Sequence, residues 1–270
     1  MLDAAGASCS APPCVSNYTM WAEETTRRVL NSRHHTYPWK RRGREAFVCP
    51  DVRHAGVPCA YVPQDDRLLL PRLMQELGYR GDSAELGVWI EDFSKLILKA
   101  WPSGRRHIGF DPYLAQPCVK HERDKHCITS QSDFDGIYSK TKSRLEGQFT
   151  AGRVSVLRNT SVEAAQLVRN GSLDFVYVDA RHDYRSVKED MGLWWSKVCR
   201  GGVLLGHDLI WPGVRRAVVE FVAKQKDDVH QVFITADHVS SWFFFRRPRE
   251  CGAGEARAGL ALVRLHRQLS

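Results

Sequence analysis

Acidic and histidine side chains recur at one kind of place in this sequence, just after an apolar run of strand length. Glu85 and Gly87 lie in AELGV, Asp111 follows HIGF, Asp179 follows LDFVYV, and His207 and Asp208 follow GVLLG. His182 stands three residues past Asp179. Asp and Gly often end strands simply because they form turns, so no single position is informative; the recurrence is. Asp111 comes 24 positions after Gly87, one strand-helix-strand unit on, where an acid can accept the two hydroxyls of a ribose. A dinucleotide would also need G-x-G-x-x-G, so that its pyrophosphate could approach a helix N-terminus. Here Gly87 is followed by V-W-I-E-D-F, and Glu91 and Asp92 place negative charge where the pyrophosphate would lie. A cationic nucleoside without phosphates, such as S-adenosylmethionine, suits that loop better.

The elements that must hold these residues alternate. Strand patterns at 84–88, 107–110, 154–157, 173–178, 202–205 and 229–234 are interleaved with amphipathic stretches at 65–78, 93–101, 134–149, 162–169, 184–198 and 214–224. Such alternation implies right-handed crossovers and an α/β fold with a doubly wound, mainly parallel sheet covered on both faces. The apolar run 241–245 reads as a late strand at or near a sheet edge. In an open sheet of this kind, ligands bind outside the carboxyl ends of the strands, where the acids and histidines above are expected to gather. Trp194, Trp195 and Phe221 fall on helical patterns and are expected in the core, whereas Trp211 and Pro212, just past Asp208, are candidates for a pocket wall. Three segments follow: an irregular amino-terminal extension at 1–62, rich in proline, the α/β domain at 63–246, and a basic tail at 247–270.

Composition sets the outer bounds. The 270 residues are 43% hydrophobic and 26% charged, ordinary for a globular chain and unlike a disordered or fibrous one. No window has the roughly 18 apolar residues that a membrane span needs, and the first residues lack the basic start and apolar run of a secretory leader, so a cytoplasmic protein is expected. The net charge of +8 is concentrated in Lys40, Arg41, Arg42 and Arg44 and in the tail from Arg246. With no aromatic interleaving around them, a nucleic-acid groove is not indicated. The eight cysteines include no C-x-x-C pair and are expected to be mostly reduced thiols. Cys118, His121, His126 and Cys127 have zinc-type donors, but not the spacing of a standard finger.

Residues 174–221, DFVYVDARHDYRSVKEDMGLWWSKVCRGGVLLGHDLIWPGVRRAVVEF, resemble class I S-adenosylmethionine-dependent methyltransferases, in particular the small-molecule O-methyltransferase group called methyltransferase family 24. AELGVWIEDFS resembles that group's first cofactor motif, HIGFDPY its ribose-binding acid and RVSVLRNTSVEAA its adenine-side segment. The resemblance spans about 63–246 and implies a seven-stranded sheet. It also implies that Glu85 and Gly87 flank the methionine part of the donor, Asp111 the ribose, and Ser161 the adenine, with Asp179 beside the donor. Glu91 departs from the family pattern, which has glycine at that position. Asp179 and Asp208, as hard oxygen donors, are candidate ligands for Mg2+, and His182 and His207 are the candidate catalytic histidines. The implied reaction is methyl transfer to a hydroxyl of a small molecule, a sugar or secondary metabolite. The alternatives are a binding module of the same fold impaired at Glu91, or an RNA methyltransferase. Oligomeric state is left open.

Overall fold

The computed structural model describes residues 9–10, 14–15, 17–31, 48–62, 67, 69–115, 130–235 and 239–251. The possible zinc donors at 118–127, the basic cluster at 40–44 and the chain beyond 251 lie outside them. In chain order the elements are β1 (Cys14–Val15), α1 (Tyr18–Asn31), α2 (Val48–His54), β2 (Cys59–Tyr61), α3 (Leu69–Glu76), β3 (Asp82–Leu86), α4 (Asp92–Ala100), β4 (Arg106–Phe110) and α5 (Gln131–Gln148). There follow β5 (Val154–Leu157), α6 (Ser161–Leu167), β6 (Leu173–Val178), α7 (Tyr184–Trp195), β7 (Val198–Gly206), α8 (Pro212–Lys224), β8 (Val229–Ile234), β9 (Trp242–Arg246) and β10 (Arg249–Glu250).

The main sheet has the order β2-β8-β9-β7-β6-β3-β4-β5. Every pairing is parallel except those of β9 with β7 and β8. The expected mainly parallel, doubly wound arrangement is therefore present, with one correction. The sheet has eight strands rather than seven, and the late aromatic strand β9, near one edge as expected, is inserted antiparallel between β7 and β8.

The strands are buried on both faces, and side chains alternate between two cores as the period of two requires. Val176, Val178, Leu204, Ile234, Trp242 and Phe244 face one cluster, with Met191 and Trp194 of α7 and Val218 and Phe221 of α8. Phe175, Tyr177, Leu205, Phe233, Phe243 and Phe245 face the other, with Val29 of α1, Leu73 of α3 and Phe93 and Ile97 of α4. Trp194, Trp195 and Phe221 are core residues, as their helical spacing predicts.

Residues 1–62 are not simply irregular. Within them α1 and α2 pack on opposite faces of the sheet, and β2 pairs with β8, Cys59 opposite Val232 through Tyr61 opposite Ile234. A proline need not exclude a helix, either in this segment or just after it. Pro50 and Pro71 are each the third residue of α2 and α3, in the first turn, where a backbone N–H has no helical partner to lose.

Helix starts carry orthodox signals. Thr160 caps α6 in a complete capping box with Glu163, and Asp183 caps α7 by accepting from the Arg185 and Ser186 N–H groups. Thr160→Ala should cost about 1 kcal/mol, read as a lower denaturation midpoint with an unchanged slope in urea.

Candidate active site at the carboxyl edge of the sheet

Leu86 pairs with Phe110 on one side and with Val178 on the other, and Val178 pairs with Gly206. The chain therefore leaves the ends of β4, β3, β6 and β7 side by side, in steps of about 4.8 Å. Asp111, Gly87, Asp179 and the His207–Asp208 pair are the residues at that edge.

The turn after β3 is conformationally demanding. Gly87 has φ 86°, and a Cβ there would collide with the Asp179 carbonyl oxygen and the Ala180 Cα. Only glycine allows the ends of β3 and β6 to approach so closely. Among the described residues five non-glycine positions have positive φ, and four of them lie just past strand ends on this edge: Trp89 (52°), Glu91 (77°), Tyr113 (45°) and Asp208 (60°). Such geometry costs energy and tends to collect at functional sites.

Glu91, at the position where the resemblance leads one to expect glycine, does adopt the left-handed conformation. Its side chain does not point into solvent; it is 2% exposed and pairs with Lys95 Nζ at 2.7 Å and Arg144 Nη1 at 3.2 Å. The carboxylate is thus turned toward α4 and α5 and neutralised there.

Asp111 holds the loops together. Its Oδ2 accepts from the Trp89 N–H at 3.0 Å and its Oδ1 from the Tyr113 N–H at 2.8 Å. Burial raises its pKa, against the lowering effect of those backbone bonds. A third backbone bond comes from Val88, and the acceptor capacity that remains on the carboxylate is enough for a ligand hydroxyl.

Beside it, Asp179, His182 and Asp208 offer donor atoms all within 4.8 Å of one another. His182 Nε2 is 2.9 Å from Asp208 Oδ2 and 3.8 Å from Asp179 Oδ1. His207 Nδ1 approaches Asp208 Oδ2 from another side at 3.3 Å, and the Trp211 ring stacks near-parallel on His182, 13° between planes and 6.2 Å between centroids. Burial alone would lower the His182 pKa, but the hydrogen bonds and charges of Asp179 and Asp208 push it up to about 10. Burial would likewise raise Asp208; the bonds and charges of His182 and His207 instead hold it far below the usual carboxylate range. His182 and Asp208 form an ion pair.

Two further expected site residues have partners of their own within the fold. Glu85 is buried inside the sheet layer, where Ser94 donates to it and His107 Nε2 lies at 3.1 Å, with Ser83 Oγ at 2.9 Å from His107 Nδ1. Burial raises its pKa. Ser161 begins α6 and bonds to α7, its hydroxyl to Asp190 and its carbonyl accepting from Trp194 Nε1. Neither joins the acid–histidine cluster.

Arg67 joins it without any forewarning in the sequence. Its Nη1 is 3.3 Å from Asp179 Oδ2 and its guanidinium lies 5.2 Å from the Phe93 ring centroid. It reaches the site from 112 positions away, in the turn before α3, a separation at which no local spacing signal exists.

Residues 92–209 match the family described as a methyltransferase domain, methyltransferase family 24. Over that stretch the chain is similar to a methyltransferase domain. Its match ends just after Asp208 and includes Asp111, Asp179 and His182, so the cluster lies within the family's own span. No curated protein matches the chain. Among solved structures, the O-methyltransferase TomG from Streptomyces achromogenes, in complex with SAM, is 14% identical, covering 86% of this chain and 100% of its own, with TM-score 0.49. The O-methyltransferase NovP is 17% identical, covering 86% and 100%, with TM-score 0.48. An O-methyltransferase from Bacillus cereus in complex with SAH is 14% identical, covering 85% and 98%, with TM-score 0.44.

Proposed function

We propose that the methyltransferase domain transfers a methyl group from S-adenosylmethionine to a hydroxyl of a small molecule. The observation that carries this reading is the Asp179–His182–Asp208 cluster on the carboxyl edge, next to the strained turn at Gly87. The residues fit a sulfonium nucleoside. Asp111 has acceptor capacity left for a ribose hydroxyl, Gly87 keeps its turn free of a side chain, and Lys95 and Arg144 neutralise Glu91.

When bound, S-adenosylmethionine supplies an electrophilic methyl carbon. An alcohol attacks it poorly unless its proton is removed as the new bond forms. His182 is the group that takes this proton, with Asp208 fixing its orientation and Trp211 the plane of its ring. His207 acts as a positioning residue through Asp208. Holding oxygen, methyl carbon and sulfur in line lowers the remaining barrier.

Asp179, Asp208 and neutral His182 would hold a divalent ion, which would lower the pKa of a bound hydroxyl. Such an ion competes with the His182 proton and the Arg67 guanidinium for the same oxygens. Calorimetry is therefore expected to show Mg2+ affinity rising about tenfold per pH unit between 7 and 9. An affinity independent of pH would place any bound ion away from this cluster.

Titration with S-adenosylmethionine tests the main reading. Binding of one donor per chain, weakened in Asp111→Ala, together with label transfer to a hydroxylated sugar or phenol, is the expected result. Folded protein that binds no donor would leave a module of the same fold and overturn the enzyme reading.

A further inference from the structure

The described cysteines contradict the expectation of reduced thiols. All six lie in bridges: Cys9–Cys199, Cys14–Cys251 and Cys49–Cys59. Their Cα separations of 6.1, 5.0 and 5.2 Å fall in the range that a disulfide accepts without backbone movement.

Other contacts bring each pair together independently of sulfur. Cys14 and Val15 pair in parallel with Arg249 and Glu250, and the Cys251 N–H donates to the Val15 carbonyl at 2.9 Å. Next to Cys9, the Ser10 N–H donates to buried Asp174 at 2.7 Å, and the Ser10 hydroxyl accepts from the Arg80 N–H. Cys59 is fixed in β2 against β8, and Arg53, from the same helix as Cys49, donates to its carbonyl at 2.7 Å. Cys49, Cys59 and Cys199 are buried. Two of the bridges span 190 and 237 residues, and long closures constrain the unfolded chain most in the loop-entropy account.

We propose that these are structural disulfides, Cys9–Cys199 tying the amino-terminal segment to β7, Cys14–Cys251 tying it to the chain just after β10 and Cys49–Cys59 closing α2 onto β2, and that the chain folds and works in an oxidising compartment rather than in the cytoplasm. Disulfides persist in oxidising compartments and are rare where glutathione keeps thiols reduced. The inference stands apart from the proposed chemistry, since it uses no residue of the carboxyl edge.

The test is thiol mapping of the full chain made through an oxidising secretory route, denatured and alkylated without reductant, with a parallel preparation from a reducing cytosol. Linked peptides 9–199, 14–251 and 49–59 are expected, with no alkylation at those six positions. Reduction should lower Tm by on the order of 10 °C, and the paired substitution Cys14→Ser with Cys251→Ser should reproduce much of that fall. Because Cys9, Asp174 and Cys199 could instead hold a metal, zinc is quantified in the same samples. Stoichiometric zinc with Cys9 and Cys199 open to alkylation overturns the first bridge. A cytosolic preparation with six free thiols and the same Tm as the secreted one overturns the whole proposal.

Discussion

His182→Ala is expected to lower kcat by about 10²- to 10⁴-fold, the usual worth of a positioned general base, while calorimetric affinity for S-adenosylmethionine is retained. The residue to watch alongside it is Asp208, since Asp208→Asn keeps the shape of the partner and removes the charge that raises His182. Wild-type protein should show a rate that climbs with pH. With its pKa pushed up to about 10, His182 carries a proton at pH 7 and cannot accept another, so the competent fraction grows about tenfold per unit up to that value. Asp208→Asn should move the rise toward lower pH, and His182→Ala should abolish it. A His182→Ala enzyme with unaltered kcat and an unaltered pH profile would remove the histidine from the chemistry.

The same pair links pH to folding, with the sign set by which state holds the proton more tightly. His182 is raised above its ordinary 6.5, so its contribution is complete below that value and is lost as pH climbs toward 10. Asp208 is depressed below its ordinary 3.8, so its contribution is complete above that value and fades as pH falls. The pair should therefore stabilise the protein most between about pH 4 and 6.5, seen as a stability maximum that His182→Ala flattens.

Gly87→Ala is expected to have the largest effect on the scaffold of the site. A left-handed φ costs an L-residue about 1–2 kcal/mol, and the added methyl must also force the turn away from Asp179 and Ala180, typically another 1–3 kcal/mol. Loss of donor binding should accompany a stability loss of about 2–5 kcal/mol in urea unfolding. Gly171→Ala is the control. Its φ is also positive, 65°, but nothing lies within 4 Å of the new Cβ, so only the conformational cost, about 1–2 kcal/mol, should be seen, with donor binding intact. Equal losses at the two positions would show that the contact with Asp179 is unimportant.

Much of this edge was legible because parallel sheets align strand ends. Once 82–86, 106–110, 173–178 and 198–206 are recognised as strands, Asp111, Asp179 and Asp208 must emerge side by side, and the structure brings Asp179, His182 and Asp208 together. Alternation along β3 turns the Glu85 side chain into the layer between the sheet and α4, and its partners there, Ser94 and His107, were not legible in the sequence. The bond of Ser161 to Asp190 in the neighbouring helix was hidden in the same way. Arg67, the disulfides and β2 were illegible for a common physical cause. Each depends on contacts between distant segments, and a three-residue strand such as Cys59–Tyr61 carries too little periodicity to announce itself.

The short pairing of β2 with β8 has a protective consequence. Without it, β8 would end the sheet as VHQVFI, an apolar strand with unpaired amides and carbonyls open to any similar edge. Unsatisfied ladders of that kind recruit other chains. Removing residues 1–62 to isolate the α/β core is therefore expected to yield material that self-associates with rising concentration, even where the residues of the carboxyl edge are untouched.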